Sequence, residues 1–102
     1  MQKITPFLWF NGNVEPAVRF YTGIFPNSKI SNLSPQSATF QLEGQEIMIL
    51  NGGPHYKLSP AVSLFVNCET QAEIDDLWEK LTADGGSPSK CGWLIDKFGL
   101  SW

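Results

Sequence analysis

Hydrophobic positions in the first half of the chain follow the order strand, helix and then three strands. Residues 4–10 are apolar at nearly every position, which is typical of a strand covered on both faces. Apolar residues spaced by three and four then predict a helix that begins after the N-cap Asn13 and ends before Pro26. The next three predicted strands are Ser28–Leu33, Ser37–Leu42 and Gln45–Asn51.

The second half repeats this order in shorter form. Residues 60–68 alternate as a strand does, and Thr70 and Glu73 form the capping box of a helix that ends at Gly85. Strand signals follow at residues 92–95 and 100–102. The halves also match weakly in sequence at an offset of about 57 residues, which indicates a duplication.

These elements predict an α+β fold, a single domain made of two paired βαβββ units at residues 1–54 and 55–102. The second unit is incomplete, because the chain stops at Trp102 as its last strand begins, and we expect a truncated chain. A ferredoxin-like β-α-β-β-α-β order would use the same elements in fewer strands, and this alternative stays open.

Composition narrows the class of protein. The length of 102 residues and a hydrophobic fraction of 42% suit one folded domain. The net charge of −3 argues against a nucleic-acid partner, and no run is long enough to span a membrane. Two cysteines are too few for a disulfide scaffold, so we expect a cytoplasmic protein. The acidic stretch 69–84 is interpreted as the solvated face of a helix rather than a cation site or a dock for a basic partner.

Several segments, taken together and in order, resemble the PhnB-like branch of the vicinal-oxygen-chelate superfamily, which includes glyoxalases, bleomycin-resistance proteins and extradiol dioxygenases. The segments are residues 4–10, 51–55, 63–68, 91–94 and 96–102. The branch often has the label demethylubiquinone methyltransferase. The resemblance covers essentially the whole chain, and it implies paired βαβββ units whose curved sheets each enclose half a cavity. It also implies a homodimer, often with the cavity shared across chains.

The resemblance also implies where a metal would bind. Metal-using members hold the ion with His, Glu or Gln on the cavity faces of four strands. The matching positions here are Pro6, about Asn51, Ala61 and a position beyond Trp102. Proline and alanine side chains cannot ligate, and an asparagine carbonyl is a poor anchor for a transition metal. We therefore predict no metal and no cofactor.

Two residues are candidates for catalysis. His55 has an imidazole suited to a general base, but it lies in the loop between the two units, and a surface histidine is the favoured interpretation. Cys91 lies beside Lys90, which would favour a thiolate nucleophile, yet no acid or histidine is placed to activate it. Cys68 is interpreted as a small core residue, and a Cys68–Cys91 disulfide is disfavoured by the expected compartment.

The methyltransferase label is not supported by the residue pattern. A common S-adenosylmethionine enzyme needs a glycine-rich loop between a strand and a helix of a parallel sheet. The glycine cluster at residues 51–54 leads to a strand instead, and the chain is too short for a doubly wound domain.

Apolar strand faces with a few polar points predict a ligand cavity. Its predicted lining is Pro6, Leu8, Phe10, Phe40, Ile47, Ile49, Asn51, Ala61, Ser63, Phe65, Trp93 and Trp102. Apolar strand faces would also form a closed hydrophobic core or a dimer interface, so both alternatives stay open. The rings of Trp93 and Trp102 are placed to stack on a planar ligand or simply to pack.

We therefore expect a cytoplasmic homodimer that binds a small organic molecule in an apolar, metal-free cavity. One alternative is a metal-dependent lyase, isomerase or dioxygenase whose ligands are completed beyond Trp102 or by a partner chain. Another is a non-catalytic dimerisation or sequestering domain.

Overall fold

The structure is a computed structural model that describes residues 2–102, and these divide into two units. Unit 1 ends at Lys57, and unit 2 comprises Leu58–Trp102. The mixture of helices and strands confirms the α+β fold class predicted from the sequence. No helix among the described residues is long and apolar enough to cross a membrane.

Unit 1 contains one helix and one four-stranded sheet. The sheet has the order β1-β4-β3-β2, with β1 parallel to β4 and the other neighbours antiparallel. This is the βαβββ arrangement that the hydrophobic pattern predicts, and the bounds of the last three strands match the prediction. In chain order the elements are β1 (Phe7–Phe10), α1 (Val14–Ile24), β2 (Ser28–Leu33), β3 (Ser37–Leu42) and β4 (Gln45–Asn51).

Helix α1 covers one face of this sheet. The ring of Tyr21 stacks on that of Phe40 in β3, with 6.3 Å between the centroids. Along β3, buried and half-buried residues alternate, as expected for a strand with one face against a helix. Asn13 occupies the N-cap position as predicted, but it is in the left-handed region (φ 58°) and its side chain makes no capping hydrogen bond.

The opposite face of the sheet holds an aromatic cluster around Trp9. The indole N–H of Trp9 donates to the carbonyl of Gly53 at 2.9 Å. Tyr56 meets the Trp9 ring edge-to-face at 5.1 Å, and the backbone of Gly52 lies against the ring. Since a side chain at position 52 would collide with the indole, glycine is what allows this close approach.

Strand β2 forms an edge of the sheet, and its pairing with β3 is interrupted. The register shifts between Ile30 and Asn32, which marks a β-bulge. Four consecutive residues of β2, 29–32, are exposed.

Unit 2 contains helix α2 (Gln71–Thr82) and two short strands, β5 (Ser87–Pro88) and β6 (Leu94–Ile95), which pair with each other. Single 3₁₀ turns lie at Ala83–Gly85 and Lys90–Gly92.

The strand predicted over residues 60–68 is wrong in extent. Within it, only Ser63 forms a bridge, to Ser101, and Ser101 bridges in turn to Ile95. The predicted strands at 92–95 and 100–102 are correspondingly shorter. A strand persists only where a neighbour supplies hydrogen bonds along its length, and β6 is two residues long.

Helix α2 begins as its sequence predicts. The Thr70 hydroxyl accepts a hydrogen bond from the backbone N–H of Glu73 at 3.1 Å. The Glu73 carboxylate accepts from the N–H of Glu69 rather than from that of the N-cap residue, so the capping box is modified. The acidic side chains of residues 69–84 are exposed, in agreement with their interpretation as a solvated face.

Replacing Gly52 by alanine should destabilise the protein by about 1–3 kcal/mol, because the added Cβ overlaps the Trp9 ring. Chemical denaturation measures the change. The matched control is Gly23→Ala in α1, where no atom lies within 4 Å of the new Cβ. That variant should gain up to about 1 kcal/mol of helix propensity. Equal stabilities for Gly52→Ala and the unmodified protein would contradict the packing of Trp9 on the backbone.

Candidate functional site

A hollow of about 300 Å³ lies within unit 2. One wall is α2, and the others are segments 63–66 and 91–94, with Cys68 and Trp102 completing the lining. Most of these side chains are apolar. A concave apolar surface with few polar groups is the usual form of a small-molecule pocket.

The α2 wall is a single apolar stripe. Ile74, Leu77, Trp78 and Leu81 follow the helical spacing and therefore lie on one side of the helix. Leu81, near the C-terminal end, is only 2% exposed, whereas Ile74 near the N-terminal end is 43% exposed. The stripe is thus covered at one end and open at the other, and the open end forms part of the hollow.

Two of the tryptophans in the lining have their polar edges satisfied. The indole N–H of Trp93 donates to the hydroxyl of Ser63 at 3.0 Å. That of Trp102 donates to Oδ2 of Asp96 at 2.8 Å. An indole whose N–H is already paired offers mainly its apolar faces to a third group.

The two cysteines both lie in the lining, and both are free thiols. Burial raises the pKa of the Cys68 thiol, and a hydrogen bond to Glu73 and the negative charge of that carboxylate raise it further. Cys68 is therefore a protonated, weakly nucleophilic thiol at neutral pH. Cys91 is exposed and stands in the left-handed region, with φ 54°.

Five residues singled out in the sequence come together here. Ser63, Phe65, Cys91, Trp93 and Trp102 all line the hollow of unit 2. Phe65 is 91% exposed, so its ring stands at an open side.

Four other predicted lining residues are core residues of unit 1. Phe10, Phe40, Ile47 and Ile49 are each at most 4% exposed. The stacking of Phe40 on Tyr21 places its face of the sheet under α1. For these four the structure favours the closed core that the sequence left as an alternative. Leu8 is half-buried and is paired in register with Ile49.

The remaining predicted residues are outside the hollow. Pro6 is half-buried, whereas Asn51, His55 and Ala61 are exposed. His55 lies in the turn after β4, where the sequence analysis also allowed a surface histidine.

The positions that match metal ligands of the superfamily do not fit a metal. The side-chain oxygen Oδ1 of Asn51 accepts a hydrogen bond from the backbone N–H of Gly12 at 2.8 Å, and its Nδ2 donates to the Pro35 carbonyl. Both polar atoms of the side chain are therefore already hydrogen-bonded. Pro6 and Ala61 have no donor atoms in their side chains. Among residues 2–102, no three His, Cys, Asp or Glu side chains are grouped as metal ligands would be.

The predicted lining lacks the α2 stripe and Leu64, Val66, Cys68, Gly92 and Leu94, and it also lacks Asp96, which lies outside the hollow but bonds Trp102. The α2 stripe has the spacing of any helix face that packs against a sheet, so its pattern does not distinguish a cavity wall from ordinary packing. Asp96 precedes Gly99, a common turn residue, and its sequence context predicts a turn. The available signal was its position six residues before a tryptophan, and this spacing does not by itself predict a contact.

Comparison with known proteins agrees with this architecture. Residues 2–102 match the model of a family described as 3-demethylubiquinone-9 3-methyltransferase. A putative 3-demethylubiquinone-9 3-methyltransferase, PhnB protein, from Bacillus cereus is 39% identical, with a TM-score of 0.87 over 99% of this chain and 96% of that one. No curated protein is significantly similar to the chain.

More distant structures share the fold. A protein from Pseudomonas aeruginosa is 22% identical, with a TM-score of 0.79, and the match covers 100% of this chain and 95% of that one. A glyoxalase-related enzyme from Fulvimarina pelagi is 17% identical, with a TM-score of 0.65 and coverage of 100% and 86%.

The fold thus defines an α+β protein of the glyoxalase/bleomycin-resistance class. Within that class, the chain belongs to the PhnB-like family of the vicinal-oxygen-chelate superfamily, which confirms the resemblance noted in the sequence.

The pKa of Cys68 gives a test of the hollow's local charge. The rate at which iodoacetamide alkylates Cys68 should increase at a higher pH than the rate for an ordinary thiol. The reason is that a raised pKa lowers the thiolate fraction at any given pH. Glu73→Gln should move this rise to lower pH, since the adjacent negative charge is removed. Mass spectrometry of the native protein in a Cys91→Ser background measures the profile.

The control for this test is Glu79→Gln, which removes an exposed carboxylate from the same helix. Its profile should overlay that of the Cys91→Ser protein. Identical midpoints for the Glu73 and Glu79 variants would contradict the contact between Cys68 and Glu73.

Proposed function

We propose that this chain binds a small, predominantly apolar organic molecule in the hollow of unit 2. The observation that supports the proposal is the open end of the α2 stripe, which lines the hollow together with Phe65 and Trp93. Apolar surface that a protein leaves unburied and gathers into a concave site is typical of a binding site.

The chemistry of the lining favours a planar aromatic ligand. Three of the chain's four tryptophans line the hollow, and aromatic faces stack on flat rings. The polar groups are few, and the Ser63 hydroxyl is already engaged by Trp93. The volume of about 300 Å³ is at the lower end of the range for small-molecule pockets, so the ligand is a small one.

The proposed site is metal-free, because Cys68 and Cys91 are the only His, Cys, Asp or Glu residues in its lining, and among residues 2–102 no three such side chains are grouped as metal ligands would be. We also do not extend methyl transfer from the family's name to this chain. The sheet of unit 1 has one parallel pair, β1 with β4, and a helix on one face, which is unlike the doubly wound parallel sheet of a nucleotide-binding domain. The proposal is therefore for binding, in a cytoplasmic homodimer.

Naphthalene should bind the protein and raise its melting temperature, whereas Zn²⁺, Ni²⁺, Mn²⁺ and Fe²⁺ should not. Phe65→Ala should weaken naphthalene binding by roughly two- to tenfold, because one aromatic contact contributes about 0.5–1.5 kcal/mol. Isothermal titration calorimetry measures the affinity, and thermal denaturation compares the metals.

The matched control is Phe7→Ala. Phe7 is also a largely exposed phenylalanine (59%), but it belongs to β1 and does not line the hollow. Its replacement should leave naphthalene affinity unchanged. Stabilisation by a single metal and none by naphthalene would favour the metal-dependent alternative. No response to naphthalene or to any of the metals would favour the non-catalytic dimerisation or sequestering domain.

A further inference from the structure

Three hydrogen bonds converge on the buried carboxylate of Asp96, which is 2% exposed. Its Oδ1 accepts from the backbone N–H groups of Phe98 and Leu100, at 2.9 and 3.1 Å. Its Oδ2 accepts from the indole N–H of Trp102 at 2.8 Å. The two oxygens therefore have different roles: Oδ1 stabilises the turn, and Oδ2 binds the Trp102 ring, which lines the hollow.

The backbone around Trp102 is held by other bonds. Leu94 and Trp102 exchange both of their N–H···O=C hydrogen bonds, at 3.1 and 3.0 Å. Asp96 and Leu100 pair through the Asp96 N–H at 2.9 Å, and the N–H of Gly99 donates to the Asp96 carbonyl. These bonds fix the backbone position of Trp102. The hydrogen bond between its indole N–H and Oδ2 of Asp96 therefore orients the ring and is not needed to hold the backbone.

We infer that Asp96 is a positioning residue for ligand binding: it holds the Trp102 indole in one orientation at the hollow and thereby makes the site prefer flat rings. The inference rests on the proposed function. A ring held in one plane presents a continuous face for stacking, and a planar ligand uses that face fully. A saturated ligand of the same carbon skeleton makes fewer contacts with it, so losing the orientation affects the planar ligand more.

Asp96→Asn separates the two tasks. An amide has one acceptor oxygen, and both backbone N–H groups of the turn donate to Oδ1, which favours keeping the oxygen there. The oxygen therefore stays with the turn, and the NH₂ group faces the indole N–H, where two donors cannot bond. The exposed Asp84, whose carboxylate lies 4.0 Å from the Lys97 ammonium, provides Asp84→Asn as a control with the same chemical change.

The test compares naphthalene with decalin, which has the same carbon skeleton but is not flat. The unmodified protein should bind naphthalene about fivefold more tightly than decalin, and Asp84→Asn should keep this ratio. Asp96→Asn should bring the two dissociation constants to within about twofold, mainly by weakening naphthalene binding. Trp102→Phe removes the indole N–H and keeps an aromatic ring, and it should give the same loss of preference if Asp96→Asn does not fold.

Each other outcome overturns the inference in a recognisable way. If Asp96→Asn weakens the binding of naphthalene and of decalin by the same factor, Asp96 stabilises the fold and does not set the preference for flat rings. If the unmodified protein binds both ligands equally, Trp102 sets no preference, and the proposed binding function stands. If it binds neither, the proposed function fails together with the inference.

Discussion

Helix α2 is the element on which the properties of unit 2 depend, because its apolar stripe is covered at one end only. Around Leu81 the stripe meets β6, where Leu94 is also buried. Around Ile74 no strand crosses it within the described residues, and segment 63–66 of the lining has one isolated β-bridge, between Ser63 and Ser101, in place of a strand. The hydrophobic effect favours covering this surface, and this is the physical basis of the binding proposed for unit 2.

The two units differ in how many neighbours each helix has. In unit 1, α1 packs on a four-stranded sheet, so its stripe is buried along most of its length. In unit 2, each strand is two residues long, so hydrogen bonds within loops replace much of the strand pairing that holds unit 1 together. The three hydrogen bonds to Asp96 are an example, since they hold residues 98–102 in addition to the isolated bridges of Ser101.

Local signals in the sequence predicted unit 1 and the start of α2 well, because turn residues, alternation and capping act over a few positions. Three features depend on contacts that the local pattern does not contain. Residues 60–68 alternate correctly, but a strand needs a partner of equal length. Strand β1 is apolar on both faces, so its own residues do not tell which face α1 covers; the alternation in β3, with Phe40 buried and Thr39 half-buried, does. The pairing of Asp96 with Trp102 depends on side-chain directions in a loop, which periodicity does not encode.

The bulge in β2 has a consequence for how copies of the chain meet in concentrated solution. An edge strand with a regular register offers a row of free N–H and C=O groups on which another strand can grow, and this is the usual first step toward fibrils. The shift between Ile30 and Asn32 breaks that row, and Lys29 adds a charge beside it. Aggregation by backbone pairing is thereby discouraged at this edge, so contacts between copies there must rely on side chains.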